Sequence, residues 1–302
     1  MIVPGEIFSL LAAIFWSIAV VIFKSLSDKI SPFLINALKN TIALICFLLL
    51  LFFLNIPFWN ENFTRIEYIK FLISGFLGMG IADAVFIYAL SLVGASRIAI
   101  LNCLEPVVIY LLTLIFLSNM ALNTIEAIGF LIVIISVLVI SYEKELNEIS
   151  NKNKIKGLSL QFIAIICSSV AMVMIKDNLN SYQSNSYIII QIAVFRLFVG
   201  FIISWLIILF IRNKKVLIQS MKNKSIIIKI FTSSFVGTFM ALTCWILGQT
   251  YIQKLALASI IGQTSLIFIM FLSWFFLKEK ITLTRIVASI FALFGVFLSN
   301  YF

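Results

Sequence analysis

Glu143–Lys156 reads EKELNEISNKNKIK, a charged stretch near the middle of a 302-residue chain that is otherwise strongly apolar. On both sides of it, hydrophobic runs recur at about 20 residues each, the length a helix needs to cross the hydrocarbon core of a bilayer. Five runs precede it, over 6–24, 31–54, 69–92, 95–117 and 122–142, and five follow it, over 157–176, 186–211, 228–251, 255–277 and 281–301. The stretch therefore divides the chain into a first five-span unit (1–142), a linker (143–156) and a second five-span unit (157–302). The runs lack the alternating pattern of barrel strands. The expected fold is an all-α integral membrane protein with ten transmembrane helices.

Composition agrees. Hydrophobic residues make up 63% of the chain and charged residues 11%, against roughly 25% charged in soluble domains. The first apolar run, Ile7–Phe23, has no basic segment before it and no small-residue cleavage site, so it reads as a span that is retained. The net charge of +10 comes from basic residues in the segments that flank spans. Membrane insertion accounts for that placement, and nucleic acid is not an expected partner. The four cysteines lie within apolar runs and read as buried thiols. Histidine is absent, which removes histidine proton relays and histidine metal sites. No metal or cofactor site is expected. No phosphate-binding Gly-rich Lys loop and no enzymatic motif is found, so an enzyme or ATP-driven pump is not expected.

The two units resemble each other at a nearly constant offset. Gly5 and Lys24 match Gly157 and Lys176 at 152, and Lys39 matches Arg196 at 157. Lys70, Ser74, Gly78 and Ala89 match Lys229, Ser233, Gly237 and Gly248 at 159, as does Ser136 with Gly295. This is an internal duplication. An odd number of spans per unit reverses the chain across the bilayer, so the expected arrangement is two inverted five-helix repeats with any substrate site at their interface.

Ionisable groups within spans are costly and point to function. Asp83, in FLGMGIADAVFIYAL, and Glu105, in RIAILNCLEPVVIYLL, are the proton-coupling candidates. Glu105 precedes Pro106, which lacks an N–H and bends a helix, an arrangement suited to a cavity wall. Lys39 and Arg196 lie too deep to be simple end residues and are candidates to hold a substrate carboxylate or phosphate, or to neutralise the two acids. Arg97 lies nearer an end and reads as an interfacial anchor. Asn102, Gln191 and Gln263 offer donors and acceptors to a polar substrate. Trp16, Phe86, Tyr88, Tyr110 and Trp245 are candidate aromatic wall residues. The competing readings are a permanent ion pair for Asp83, local hydrogen bonds for Glu105, snorkelling to the interface for Lys39 and Arg196, interhelical glue for Asn102, Gln191 and Gln263, and lipid-facing or packing roles for the aromatic residues. At offset 159 the counterparts of Asp83 and Glu105 are Leu242 and Thr264, so both acids belong to the first repeat alone.

Four motifs, in order, resemble the ten-span EamA type of the drug/metabolite transporter superfamily: AAIFWSIAVVIFK (Ala12–Lys24), LINALKN (Leu34–Asn40), LEPVVIYLLTLIF (Leu104–Phe116) and WFFLKEKITLTRIVASIFALFGVFL (Trp274–Leu298). The resemblance covers essentially the whole chain. Three positions depart from it: Met120 stands where the other repeat has Glu279, Ser265 is the counterpart of Pro106, and Ser168 that of Trp16. The resemblance implies a gradient-driven carrier, often an exporter, of small metabolites such as amino acids, by alternating access. Protons are the coupling partner it suggests, and a monomer or homodimer in the bacterial inner membrane the setting. Two rival readings stand beside it: uptake or exchange of an anionic or nucleotide-like metabolite, and a non-transporting scaffold or sensor. Orientation is divided. The basic segments place both termini outside by the positive-inside rule, whereas the resemblance implies termini inside.

Overall fold

Several helix starts in this chain, at Thr64, Ser150, Asn185 and Asn223, are marked by polar side chains that take unpaired backbone donors. The computed structural model describes residues 4–116, 123–142, 150–211, 223–252, 258 and 261–301, and every regular element among them is helical. α1 is Pro4–Ser27, α2 Pro32–Phe53, α3 Arg65–Val93 and α4 Ala95–Asn102 continued as Glu105–Phe116. α5 is Thr124–Tyr142, α6 Asn151–Ser181, α7 Ser186–Leu209, α8 Lys224–Tyr251, α9 Ser265–Leu277 and α10 Leu283–Tyr301. Seven of these segments are long and apolar enough to cross a membrane, and shorter apolar stretches at Ala127–Ile140, Ile261–Leu277 and Leu283–Leu298 bring the total to ten. Large apolar side chains such as Phe52, Phe53, Ile115 and Phe276 point outward, as a surface facing lipid requires.

Three helices start earlier than the apolar runs suggest, because caps extend them; one is α8, where Ser225 N donates to Asn223 Oδ1 at 2.9 Å and the helix starts at Lys224 rather than at 228. Thr64 N donates to Glu67 Oε2 at 2.8 Å and Glu67 N to Thr64 Oγ1 at 3.2 Å, a reciprocal cap that starts α3 at Arg65 rather than at 69. Asn153 N donates to Ser150 Oγ at 3.3 Å, so α6 starts at Asn151 and takes in the second half of the expected linker. Gly94, at φ +87°, reverses the chain between α3 and α4. Met120 and most of the basic stretch at 212–222 lie outside the described residues.

Helix ends show that the repeats are inverted. Gly5, at the start of α1, packs on Tyr251 and Ile252 at the end of α8. Lys24, near the end of α1, donates to Ser91 O near the end of α3. The second repeat does the opposite. Gly157 in α6 packs on Leu92 and Val93 at the end of α3. Lys176 in α6 donates to Gln249 O and Ile252 O at the end of α8, at 2.5 and 2.9 Å. α1 and α6 thus run between the same two landmarks in opposite directions.

The contacts obey the duplication residue by residue. Gly78 of α3 meets Ala171 of α6, and Gly237 of α8 meets Ala19 of α1. These positions differ by 159 and 152, the offsets read from the sequence. At Gly237 a Cβ would collide with that of Ala19, so glycine is needed there, while at Gly78 the approach is tight at 3.3 Å. α2 pairs with α7, α4 with α9, and α5 with α10, so each helix of these three pairs meets its own repeat-mate.

Two irregularities recur in both repeats and mark the site. α3 is π-helical over Phe76–Ala82, and α8 over Phe235–Met240, the same register at offset 159. Such widened turns concentrate at functional sites. On α3 the widened turn is braced from α2, where Asn40 Nδ2 donates to Met79 O at 3.3 Å and Asn36 Nδ2 to Gly80 O at 3.4 Å. α4 breaks at Cys103–Leu104, next to the bend expected at Pro106. α9 turns at Thr264, the counterpart of Glu105. Interrupted helices at matching depth are how inverted-repeat membrane proteins expose polar backbone to a central cavity.

Candidate functional site: a charged cavity between the repeats

The π turns and the α4 and α9 breaks surround a cavity of about 210 Å³. Its wall follows the duplication: Ala12 with Ala164, Trp16 with Ser168, Lys39 with Arg196, Gly78 with Gly237, Ala82 with Ala241, and Phe86 with Trp245. The cavity therefore sits where the two repeats exchange places.

Nine candidate residues from the sequence line it: Asp83, Glu105, Lys39, Arg196, Asn102, Gln263, Trp16, Phe86 and Trp245. Their states differ. Lys39 Nζ donates to Asp83 Oδ2 at 2.6 Å and to Asn40 Oδ1 at 2.9 Å, and Lys39 is only 1% exposed. Asp83 is thus held by a cation in this conformation. Glu105 lies within hydrogen-bonding reach of Gln263 and Ser168, both neutral. Asn102 Oδ1 accepts from Gln161 Nε2 at 2.6 Å. Arg196 is buried, its guanidinium lies 5.8 Å from the Trp245 ring centre, and its Nε and Nη1 have no hydrogen-bond partner. The Trp16 and Phe86 rings meet at 5.4 Å and close one side.

Three candidates lie away from the cavity. Gln191 does not face the cavity: its Oε1 accepts from Asn60 Nδ2 at 2.9 Å and its Nε2 donates to Pro57 O at 2.6 Å, which anchors the α2–α3 connection to α7. Tyr88 turns towards the start of α6, where its OH accepts from Lys156 Nζ at 2.7 Å. Tyr110 packs on Phe130 of α5 at 5.0 Å between ring centres, within the apolar core. Arg97 is 2% exposed, packed within the protein. For Gln191, Tyr88 and Tyr110 the residue type suited a cavity, but a neighbouring element claimed the side chain.

Four polar wall residues were missed, one of them Ser265 at the start of α9. Gln161 and Ser168 line the cavity from α6, and Thr238 from the α8 π turn, its Oγ1 buried without a partner. The duplication carried a signal for two of them: Ser168 is the counterpart of Trp16, and Thr238 follows Gly237, the counterpart of Gly78.

A family model for EamA-like transporters matches residues 3–142 and again 155–301, once on each five-helix unit. The chain belongs to the EamA-like transporter family. It is accordingly a multi-pass membrane protein of a transporter family, built as two inverted repeats around the cavity. No curated protein matches the chain. Among 28 matching solved chains, one titled "Crystal structure of protein" superposes with a TM-score of 0.69 at 14% identity, covering 100% of this chain and 99% of its own. At that identity the likeness speaks for the fold.

Proposed function

We propose that this EamA-like protein is a secondary active carrier that moves a small polar metabolite, such as an amino acid or a relative, out of a bacterial cell across its inner membrane by alternating access. One observation carries the reading: four ionisable side chains, Lys39, Asp83, Glu105 and Arg196, converge on one cavity at the repeat interface. Ionisable groups at that depth are expensive in a protein that only holds helices together. Volume narrows the solute. About 210 Å³ lies below the roughly 300–1,000 Å³ of pockets for drug-sized ligands, which favours an amino-acid-sized solute and counts against a nucleotide-like one.

Glu105 is the better proton carrier of the two acids. Asp83 is neutralised by Lys39, whereas the side chains within reach of Glu105 are neutral. A proton taken by Glu105 from one side and released to the other would supply the gradient coupling.

Flux into proteoliposomes under an imposed proton gradient, over a panel of amino acids and small organic acids, tests the reading. Gradient-dependent flux of at least one solute is expected. None for any member would leave the scaffold reading in its place. Glu105→Gln should abolish gradient-driven accumulation while sparing solute exchange. If Glu105→Gln and Asp83→Asn both accumulate solute like the wild type, the coupling role is lost.

A further inference from the structure

Lys39 and Arg196 occupy equivalent positions in the two repeats, but they do not end in equivalent states. Lys39 finds an acid across the α2–α3 contact. Arg196 faces α8, where the counterpart of that acid is Leu242. The acid whose field reaches Arg196 is Asp83, and its Oδ2 is already taken by Lys39. Arg196 is 2% exposed, with Nε and Nη1 unpartnered, yet it borders the cavity. A guanidinium cannot shed its charge near neutral pH, and a buried one without a counter-ion is costly. Its position is fixed by packing: its backbone lies against Gly75 and its guanidinium beside Gly78, both on α3, while Trp245 covers it from α8.

We infer that Arg196 is the anchor for an anionic group on the transported solute, and that the solute supplies the counter-charge missing from the second repeat. This rests on the carrier reading above and adds the chemistry that the carrier selects. A guanidinium donates charge-assisted hydrogen bonds to carboxylates and phosphates alike. Lys39 takes no part, because its ammonium is held by Asp83 and Asn40.

The test uses thermal stabilisation of the purified full-length protein, since a solute that binds only the folded state raises its apparent stability. The ligands are free amino acids, the same amino acids with the carboxyl amidated, and phosphate monoesters of similar size. A subset of the free amino acids, or of the phosphate monoesters, should stabilise the wild type; which class does so identifies the anion. Amidation should weaken binding about tenfold or more, the scale of a lost charge-assisted hydrogen bond. Arg196→Gln should lose the stabilisation and Arg196→Lys should retain part of it. The comparison of acid with amide needs no variant, so it stands even if Arg196→Gln fails to fold. Equal stabilisation by acid and amide, no stabilisation by any member, or wild-type stabilisation of Arg196→Gln overturns the inference. Flux separates the two claims. Solutes that bind through Arg196 without crossing the membrane would leave the anion site and remove the carrier. Flux undiminished by amidation would do the reverse.

Discussion

Lys39 Nζ lies 2.6 Å from Asp83 Oδ2 and ties α2 to the C-terminal edge of the α3 π turn. With Lys39 at 1% exposure, loss of the acid strands a buried ammonium. Asp83→Asn should therefore cost about 3 kcal/mol, the lower end for breaking a buried pair, because the Asp83 side chain is 23% exposed. Lys39→Met combined with Asp83→Leu should recover most of that, since no charge is then left unpaired. Thermal unfolding of the single and double variants in detergent measures both. A double variant no better than Asp83→Asn would mean that the pair does more than satisfy its own charges.

Two glycines of the cavity wall should respond unequally to the same change. A Cβ at Gly237 meets Ala19 of α1, whereas one at Gly262 meets nothing within 4 Å. Gly237→Ala forces α1 and α8 apart and should cost about 1–3 kcal/mol. Gly262→Ala should stay within about 0.5 kcal/mol of the wild type. Unfolding midpoints of the two variants, measured side by side, check the contrast.

Glu279, in the turn between α9 and α10, reaches across to the other repeat. Its carboxylate accepts from Ala95 N at 2.8 Å, from Ser96 N at 3.1 Å and from the Ser96 hydroxyl, and so caps the start of α4. Glu279→Ala leaves those donors unpaired and should cost about 1–2 kcal/mol. Amide hydrogen exchange should rise at Ala95 and Ser96 ahead of the rest of α4. Unchanged protection there would show that the cap is dispensable.

Gln191 offers a control for site assignment. Its amide bonds Asn60 and Pro57 away from the cavity. Gln191→Leu should lower stability by about 1–3 kcal/mol, since it leaves buried polar groups unpaired, while the KM for any transported solute stays unchanged. A raised KM with stability intact would return Gln191 to the binding site.

Much of the fold was legible in the sequence because the bilayer acts as a strict solvent. Apolar runs of spanning length, Gly5 and Gly157 at 152, and Gly78 and Gly237 at 159 were enough to state ten helices and an inverted duplication. The glycine offsets even match the contacts that form, since close helix approach leaves few residue choices. Boundaries were less legible. Thr64 with Glu67, and Ser150, extend helices by capping into segments whose hydropathy is low.

At the site, the sequence by itself determined which residues were expensive to bury: Asp83, Glu105, Lys39 and Arg196. Their cost follows from residue type and depth alone. Only the tertiary structure decided which charges are satisfied. Lys39 and Arg196 are equivalent by duplication, yet one meets Asp83 and the other faces the helix that carries Leu242. Gln191, Tyr88 and Tyr110 have cavity-forming chemistry, yet Pro57, Lys156 and Phe130 hold them elsewhere. Hydropathy and offset are properties of one chain segment. Pairing depends on what a distant segment presents within about 3 Å, and that is set when the helices pack.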